Sequence, residues 1–146
     1  MVEQKSVLII AGPTASGKSS LALSLAERFG GEIVNADSMQ VYQEFRVLTA
    51  RPTKDDEVRV PHHLYGFESV SSPCSAGSWL GRVVPVIEDI FARDNIPVVC
   101  GGTGLYLKVL QEGIAPVPDI PEGAVRELGD MYAEIGGDAF RQRLAE

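Results

Sequence analysis

The sequence predicts an α/β fold, an open parallel sheet flanked by helices, and three features of the chain lead to this prediction. Runs rich in β-branched residues at 6–11, 32–36 and 96–100 predict three strands, and the largely continuous apolar character of the first and third is typical of parallel strands covered on both faces. Between the first two runs lie a glycine-rich break and a stretch with helical periodicity, which together predict a βαβ unit. A proline-rich segment then precedes a final helical stretch, where we expect the start of a helical insertion at the C-terminal end.

The first helix is expected over 18–29, between the first two strands. Leu21, Leu25 and Phe29 recur at i, i+4 and i+8, with Ala22 and Ala26 beside them, and we expect the stripe of larger residues to face the sheet. Gly30 and Gly31 supply the stop.

The middle of the chain, 43–75, has no strong periodicity and contains three prolines, so we expect a functional loop or a small subdomain there. Ser75 predicts the N-cap of a helix that runs to about Arg93, with a kink or a late start caused by Pro85. The residues expected to face inward are Trp79, Val83, Val86, Ile87, Ile90 and Phe91. The third strand ends in a run of glycines, after which Leu105 begins another helix.

The pattern divides the chain into three parts. We expect a core over 1–112, a proline-rich linker over 113–124 and the start of a helical region over 125–146. The apolar stripe of the last part consists of Val125, Leu128, Tyr132 and Ile135. A further short helix, with Asp138 as its cap, reaches Glu146 without a stop signal, which predicts a chain that continues.

Composition limits the class of protein. Hydrophobic residues make up 45% of the 146 residues and charged residues 23%, the balance of an ordinary globular domain. The net charge of −7 argues against a large non-specific nucleic-acid surface. Cys74 and Cys100 are expected to be free thiols, and the apolar run at 7–11 is too short to span a membrane. We therefore expect a cytoplasmic monomer with no membrane partner.

The strongest functional signal is a match to the phosphate-binding pattern G-x-x-x-x-G-K-[ST]. The matching residues are Gly12, Pro13, Thr14, Ala15, Ser16, Gly17, Lys18 and Ser19. In this pattern the backbone N–H groups of the loop form a nest for phosphate oxygens, and the positive end of the following helix adds to it. Lys18 supplies a mobile charge to the outer phosphates, and the Ser19 hydroxyl can bind Mg²⁺. The motif makes the predicted sheet P-loop NTPase-like.

Two further strand ends carry candidate functional residues. Asp37 follows the second strand, at the edge of a parallel sheet where ligands bind, and it can act as a general base or a metal partner. The alternative for Asp37 is a capping or loop aspartate. Thr103 lies in a glycine-rich turn after the third strand, where its hydroxyl either meets a ligand or only belongs to the turn. No acidic residue ends that strand, which favours a transferase over a water-activating NTPase.

Other conspicuous residues are expected to be structural. His62 and His63 are adjacent, so their side chains point in different directions, and we expect loop-packing or surface roles rather than a shared metal. Trp79 and Tyr132 lie on helical stripes and are expected in the core rather than as base-stacking platforms.

Three segments occur together in one order along the chain. They are 12–19, Asp37-Ser38-Met39-Gln40-Val41-Tyr42 and Gly101-Gly102-Thr103-Gly104-Leu105-Tyr106. As a set they resemble the signatures of the tRNA dimethylallyltransferase family, also called tRNA isopentenyltransferase. Segments 48–52 and 61–64 are also similar to the family, which usually reads Gly-Thr-Ala-Lys-Pro at the first of them. The resemblance covers nearly the whole chain, and members of the family are longer.

The resemblance implies a reaction. A dimethylallyl group moves from dimethylallyl diphosphate to N6 of an adenosine beside the tRNA anticodon. By this resemblance Lys18, Ser19 and Thr103 stabilise the pyrophosphate leaving group together with Mg²⁺. Asp37 accepts the proton of the attacking amine.

The resemblance also implies where tRNA binds. Asp37, Ser38, Met39 and Gln40 would line the pocket for an adenine that leaves the anticodon stack. Arg126 falls where the family places a residue near the tRNA. The implied partners are dimethylallyl diphosphate and the tRNA anticodon loop, and the implied cofactor is Mg²⁺.

Three alternatives stay open from the residues alone. A P-loop small-molecule kinase would hold ATP with Lys18 and Ser19 and use Asp37 on a substrate hydroxyl. An adenylate isopentenyltransferase would use free AMP or ADP as acceptor. A portion of a longer chain would bind phosphate or a partner without turnover, and the part beyond Glu146 would then complete the sheet and supply basic residues.

Overall fold

The computed structural model describes residues 5–115, 120–121 and 123–145. Its strands are β1 (Leu8–Ala11), β2 (Gly31–Asn35), β3 (His62–His63) and β4 (Ile96–Gly101). Its helices are α1 (Lys18–Phe29), α2 (Lys54–Arg59), α3 (Ala76–Ala92), α4 (Gly104–Glu112) and α5 (Ala124–Leu144). The strands pair in parallel in the order β1-β4-β2-β3, which confirms the predicted open parallel sheet flanked by helices.

The register of the sheet aligns the ends of three strands at one edge. β4 lies between β1 and β2, with Ala11 opposite Gly101 and Asn35 opposite Cys100. Because parallel strands point the same way, the segments that follow β1, β2 and β4 all leave from this edge. These are the segments that carry the three motifs.

Two apolar clusters cover the two faces of the sheet. On one face α3 and α4 pack against Val34 and Val99, and the fully buried Trp79 stacks on Tyr106 with ring centroids 4.4 Å apart. The Trp79 ring nitrogen donates to the Asn35 carbonyl oxygen at 3.1 Å, so its polar group is satisfied. The core position predicted for Trp79 is confirmed. The other face is covered by α1.

The prediction that three large side chains of α1 face the sheet is wrong for two of them. Leu21 and Phe29 are 52% and 54% exposed, whereas Ala22 and Ala26 are buried. A Cβ atom at Gly31 would lie only 3.3 Å from the Cα of Ala26, so α1 approaches β2 closely. The small alanine face permits this approach, and because a helix turns one face to the sheet, the larger side chains of Leu21 and Phe29 point elsewhere.

Ser75 caps α3 as predicted, since its hydroxyl accepts the Ser78 N–H at 3.0 Å. The helix begins directly after this cap and runs through Pro85, so the predicted late start is wrong. A proline inside a helix costs about 3 kcal/mol. Burial of four apolar side chains on the inner face offsets this cost. They are Trp79, Val83, Ile87 and Ile90.

The middle segment contains three short elements that the sequence did not predict: a 3-10 helix at Gln43–Phe45, α2 and β3. Thr53 caps α2, since its hydroxyl accepts the Asp56 N–H while the Asp56 carboxylate accepts the Thr53 N–H. His62 and His63 form β3 and pair with β2, where a loop or surface position was expected. Both histidine side chains are half-buried, which gives them a packing role on the outermost strand, β3.

Residues from Ala115 onward form a second compact unit, and residues 116–119 and 122 of the predicted linker lie outside the described residues. Helix α5 is interrupted at Gly136, whose backbone angles (φ 78°, ψ 166°) are non-helical. Tyr132 is 54% exposed and contacts Phe140 edge to face at 5.4 Å, so the core position predicted for it is wrong. A short helical unit has too little apolar surface to bury a tyrosine fully. Neither α5 nor any other helix in the described ranges is long and apolar enough to cross a membrane.

A buried carboxylate near the start of β2 is surrounded by hydrogen-bond partners. Glu32 is 3% exposed, and it accepts bonds from Arg93 Nε at 3.0 Å and from Asn95 Nδ2 at 2.8 Å. His63 Nε2 lies 2.6 Å from its second oxygen. Burial by itself raises the pKa of this carboxyl. The hydrogen bonds from Arg93, Asn95 and His63 outweigh that effect and lower the pKa from 4.5 to about 2.

We expect the free energy of unfolding to decrease as the pH falls from 4.5 to about 2, the ordinary and folded pKa values of Glu32. The folded chain keeps this carboxylate ionised, so the unfolded chain takes up the proton first and stability rises with pH in this interval. The full effect is about 3 kcal/mol, because one pKa unit corresponds to about 1.4 kcal/mol. Urea unfolding gives the free energy of unfolding of the wild type and of Glu32→Gln. The difference between the two free energies should be smaller at about pH 3 than at about pH 6. A difference independent of pH would contradict this role of Glu32.

Candidate functional site

The phosphate-binding pattern lies between a strand and a helix, as its chemistry requires. β1 ends at Ala11 and α1 begins at Lys18, with the glycine-rich loop between them. Within this loop Ala15 and Gly17 have positive φ angles of 62° and 83°. Backbone turns of this kind direct successive N–H groups to one side and form an anion-binding nest. The strand–loop–helix context predicted for the motif is confirmed.

The start of α1 combines several groups that bind anions. Lys18 Nζ donates to the Pro13 carbonyl oxygen at 3.1 Å, which holds the ammonium beside the loop backbone. Ser19 and Ser20 follow and are exposed. The first turn of α1 contains no acidic residue, so the positive end of the helix dipole is not neutralised within that turn. This set suits a phosphate or diphosphate.

A glycine turn after β4 brings the phosphate loop and the end of β2 together. A Cβ atom at Gly101 would lie 2.2 Å from the carbonyl carbon and oxygen of Ala36, a clash that only glycine avoids. A Cβ atom at Gly102 would lie 3.0 Å from the Gly12 carbonyl oxygen. The N–H of Thr103 donates to the Ala36 carbonyl oxygen at 3.2 Å. The three motifs therefore meet through direct backbone contact.

Asp37 lies in a turn that its own side chain and Asn35 hold in place. Asp37 Oδ1 accepts the Met39 N–H at 2.9 Å, and the Asp37 N–H donates to Asn35 Oδ1 at 2.9 Å. The fully buried Asn35 also donates from Nδ2 to the carbonyl oxygens of Asp37 and Leu64, each at 3.0 Å. Among the described residues no hydrogen bond uses Asp37 Oδ2. The half-buried carboxylate therefore closes the turn with one oxygen, and a ligand role for the other oxygen stays a prediction.

Thr103 bonds to the turn that contains Asp37. Its Oγ1 accepts the Ser38 N–H at 2.9 Å and donates to Ser38 Oγ at 3.2 Å, across 65 positions of sequence. The structure thus brings together the second and third motifs through their side chains. The effect of Thr103 on a leaving group stays a prediction.

Met39 and Gln40 complete the turn with different exposures. Met39 is 50% exposed. The half-buried Gln40 donates from Nε2 to the Thr49 carbonyl oxygen at 2.7 Å, which ties the turn to the segment that precedes α2. Contact of Ser38, Met39 and Gln40 with tRNA stays a prediction.

A cleft of about 540 Å³ lies beside the start of α1. One wall comes from α1 and another from the 46–56 segment, and Cys100 also lines it. Burial raises the pKa of the Cys100 thiol, while the charge of Lys18 and a hydrogen bond with Ser19 act in the opposite direction. The charge of Asp37 raises it further. Ser19 and Cys100 both line this cleft, so the cleft borders the start of α1.

Arg126 is the one predicted site residue in the second unit. It lies on α5 with an 89% exposed side chain, and its Nε is 4.0 Å from Asp130 Oδ2. Contact of Arg126 with tRNA stays a prediction.

Two groups of site residues were missed in the sequence. A signal existed for Asn35, since an amide within a buried strand must find hydrogen-bond partners, and the nearest turn is at Asp37. No periodicity marked Arg46, which lines the cleft, and Arg51, which also lines it, was noted only as part of the 48–52 segment that is similar to the family.

Two family models match the chain. The model for IPP transferase matches residues 40–146, and the model for isopentenyl transferase matches residues 5–67. Together the two matches include all three motifs.

Proteins named tRNA dimethylallyltransferase are similar to this chain. One from Parvibaculum lavamentivorans is 61% identical over 127 residues, which cover 84% of this chain and 40% of that protein. One from Granulibacter bethesdensis is 48% identical over 145 residues, which cover 99% of this chain and 46% of that protein. The chain spans less than half the length of these relatives.

Solved structures of similar proteins share the fold. The tRNA isopentenylpyrophosphate transferase from Bacillus halodurans is 31% identical with a TM-score of 0.74, over 97% of this chain and 47% of that one. A eukaryotic dimethylallyltransferase acting on tRNA is 32% identical with a TM-score of 0.76, over 86% of this chain and 32% of that one.

Proposed function

This chain belongs to the IPP transferase family, and on that premise we propose that it forms the diphosphate-binding part of a tRNA dimethylallyltransferase. The reaction transfers a dimethylallyl group from dimethylallyl diphosphate to N6 of an adenosine beside the anticodon. The proposal rests chiefly on the meeting of the segments that carry Lys18, Asp37 and Thr103 at one edge of the sheet. An anion-binding loop next to a carboxylate supplies what the reaction needs, a binder for the leaving group and an acceptor for a proton.

In the proposed step the N6 amine attacks the carbon that carries the diphosphate. The new C–N bond forms as the C–O bond breaks, and pyrophosphate leaves with the electron pair. Asp37 accepts the proton that the amine loses, through the oxygen that does not close the turn. Lys18 and the N–H groups of the loop stabilise the negative charge that develops on pyrophosphate.

Thr103 has two proposed contributions. Its bonds to Ser38 hold the turn that presents Asp37. Its hydroxyl proton, which is directed to Ser38 Oγ here, can instead be donated to an oxygen of the leaving group because a hydroxyl rotates freely.

Mg²⁺ fits this site mainly through the diphosphate. Within the described ranges no group of three His, Cys, Asp or Glu side chains is arranged to hold a metal. Mg²⁺ commonly takes its ligands from substrate phosphates, water and one or two protein oxygens. The Ser19 hydroxyl would supply one such oxygen, and the ion would offset negative charge on the diphosphate.

The proposed partner is the anticodon loop of tRNA. Ser38, Met39 and Gln40 follow the proposed catalytic carboxylate and would contact the extruded adenine. Arg126 would contact another part of the tRNA. The net charge of −7 gives the chain little general attraction for RNA, so these contacts would be local. We also expect a cytoplasmic monomer.

Ligand protection tests the proposal against the kinase alternative. Dimethylallyl diphosphate is expected to raise the Tm of the chain, since a ligand at 100 times its Kd stabilises by about 2.7 kcal/mol. Dimethylallyl alcohol, which lacks the diphosphate, is the matched control and should give no protection. Protection by ATP together with none by dimethylallyl diphosphate would favour the kinase and contradict the proposal.

A further inference from the structure

Arg51 is a half-buried guanidinium that has no acidic partner among the residues that the structure describes. None of the ion pairs among the described residues includes it. Its Nη1 donates to the carbonyl oxygens of Tyr42 and Gln43 at 3.2 and 3.4 Å, and its buried Nε has no hydrogen-bond partner within the described part of the chain. Desolvation lowers the pKa of Arg51, and the positive charge of Arg46 lowers it further. An uncompensated charge in such a place is unfavourable unless a ligand pairs with it.

The neighbouring acidic residues are already paired with other groups. Glu57 lies 3.1 Å from both Arg46 Nη2 and Lys54 Nζ. Asp56 is bonded to Thr53 in the cap of α2. Within the described part of the chain these carboxylates are therefore not available to Arg51, and its positive charge suits an anionic ligand.

The backbone reserves space for this guanidinium. Gly66 has a φ of 55°, and a Cβ atom there would lie 2.1 Å from Arg51 Nη1 and 2.4 Å from its Cζ. Any other residue at this position would displace the guanidinium or strain the backbone. The position of the Arg51 guanidinium thus depends on two other parts of the sequence, the carbonyl oxygens of Tyr42 and Gln43 and the space left by Gly66.

Arg51 lines the cleft that also reaches the phosphate-binding loop. Ser19 and Ser20 from the start of α1 line the same cavity of about 540 Å³, as does Arg46. A guanidinium is suited to phosphate because its planar N–H groups match two oxygens at once.

We propose that Arg51 is an anion-binding residue that pairs with a phosphate oxygen of a ligand in this cleft. The inference rests on the proposed function for the identity of that ligand, and two sources share the required chemistry. One is the diphosphate of the prenyl donor, and the other is a backbone phosphate of the RNA acceptor.

The test measures the Kd of this chain for dimethylallyl diphosphate and for an anticodon stem–loop RNA. Arg51→Gln removes the charge. It is expected to weaken the binding of one of the two ligands about 10- to 100-fold, the usual effect of losing a charge-assisted hydrogen bond. The weakened ligand identifies the source of the phosphate. Arg28→Gln is the matched control, since it removes the same charge from the exposed end of α1 and should change neither Kd.

Two further measurements separate anion binding from a structural role. Without ligand, Arg51→Gln should have a Tm no lower than the wild type, because an unpaired charge has been removed. Arg51→Lys should restore part of the affinity, because it restores the charge but not the planar pair of N–H groups. A lower Tm with unchanged Kd values for both ligands would overturn the proposal, and so would a Lys variant that binds as weakly as the Gln variant.

The same data separate this inference from the proposed function. A wild-type chain that binds no dimethylallyl diphosphate would contradict the proposed function. Diphosphate binding that Lys18→Ala weakens, with both ligands unaffected by Arg51→Gln, would contradict only the assignment of Arg51.

Discussion

Asp37→Asn is expected to slow prenyl transfer by about 10²- to 10⁴-fold, the usual contribution of a general base. The exocyclic amine of adenine is a weak nucleophile, so loss of the proton acceptor should act mainly in the transition state. The binding of dimethylallyl diphosphate should change little, because the loop and Lys18 carry it. The expected signature is a large decrease in kcat with unchanged affinity for the donor.

The geometry of the turn makes this substitution a clean one. Asp37 Oδ1 closes the turn by accepting the Met39 N–H, and the amide oxygen of asparagine can accept the same bond. The fold should therefore persist while the charge is removed.

The effect is measured as the rate of single-turnover prenyl transfer. The assay uses a protein of the full length of the relatives, which are more than twice as long as this chain. Asp94→Asn is the matched control, because Asp94 is exposed with a φ of 57°, a conformation that asparagine adopts readily. A rate for Asp37→Asn within a few-fold of the wild type would remove Asp37 from the mechanism and leave it as a residue of the turn.

Lys18→Ala is expected to weaken the binding of pyrophosphate and dimethylallyl diphosphate about 10- to 100-fold, the typical effect of one charge-assisted hydrogen bond. Among the described residues the ammonium makes one hydrogen bond, to the Pro13 carbonyl oxygen, so its loss should cost the fold little. Titration calorimetry with pyrophosphate measures the Kd directly.

A second lysine provides the control for Lys18. Lys108 on α4 is 66% exposed and lies 3.9 Å from Glu112, so Lys108→Ala removes the same charge far from the phosphate loop in sequence. The Kd of Lys108→Ala should equal that of the wild type. Equal pyrophosphate binding by Lys18→Ala and the wild type would contradict the assignment of the loop.

Local sequence was sufficient to predict the elements around the phosphate loop. The apolar runs at 6–11 and 96–100 correspond to β1 and β4, and the glycine-rich break falls between β1 and α1. These predictions succeeded because strand burial, glycine turns and helix periodicity are each encoded within about a dozen neighbouring residues.

Predictions failed where packing rather than periodicity decides burial. The stripe of Leu21 and Phe29 has helical spacing, yet the contact of Ala22 and Ala26 with the sheet left both larger side chains exposed. Tyr132 has the spacing of a core residue, but its unit is too small to bury it. Periodicity gives the faces of a helix, whereas the neighbours of the helix decide which face is covered.

The sequence by itself determined the parallel α/β class, the phosphate-binding loop and the candidate carboxylate Asp37, because each depends on residues that are neighbours in the chain. Only the tertiary structure decided the strand order, the bond from Thr103 to Ser38 across 65 positions and the place that Gly66 leaves for Arg51. These features depend on residues that become neighbours only when the sheet forms. Their geometry follows from strand register and close backbone packing, which no local pattern of residues encodes.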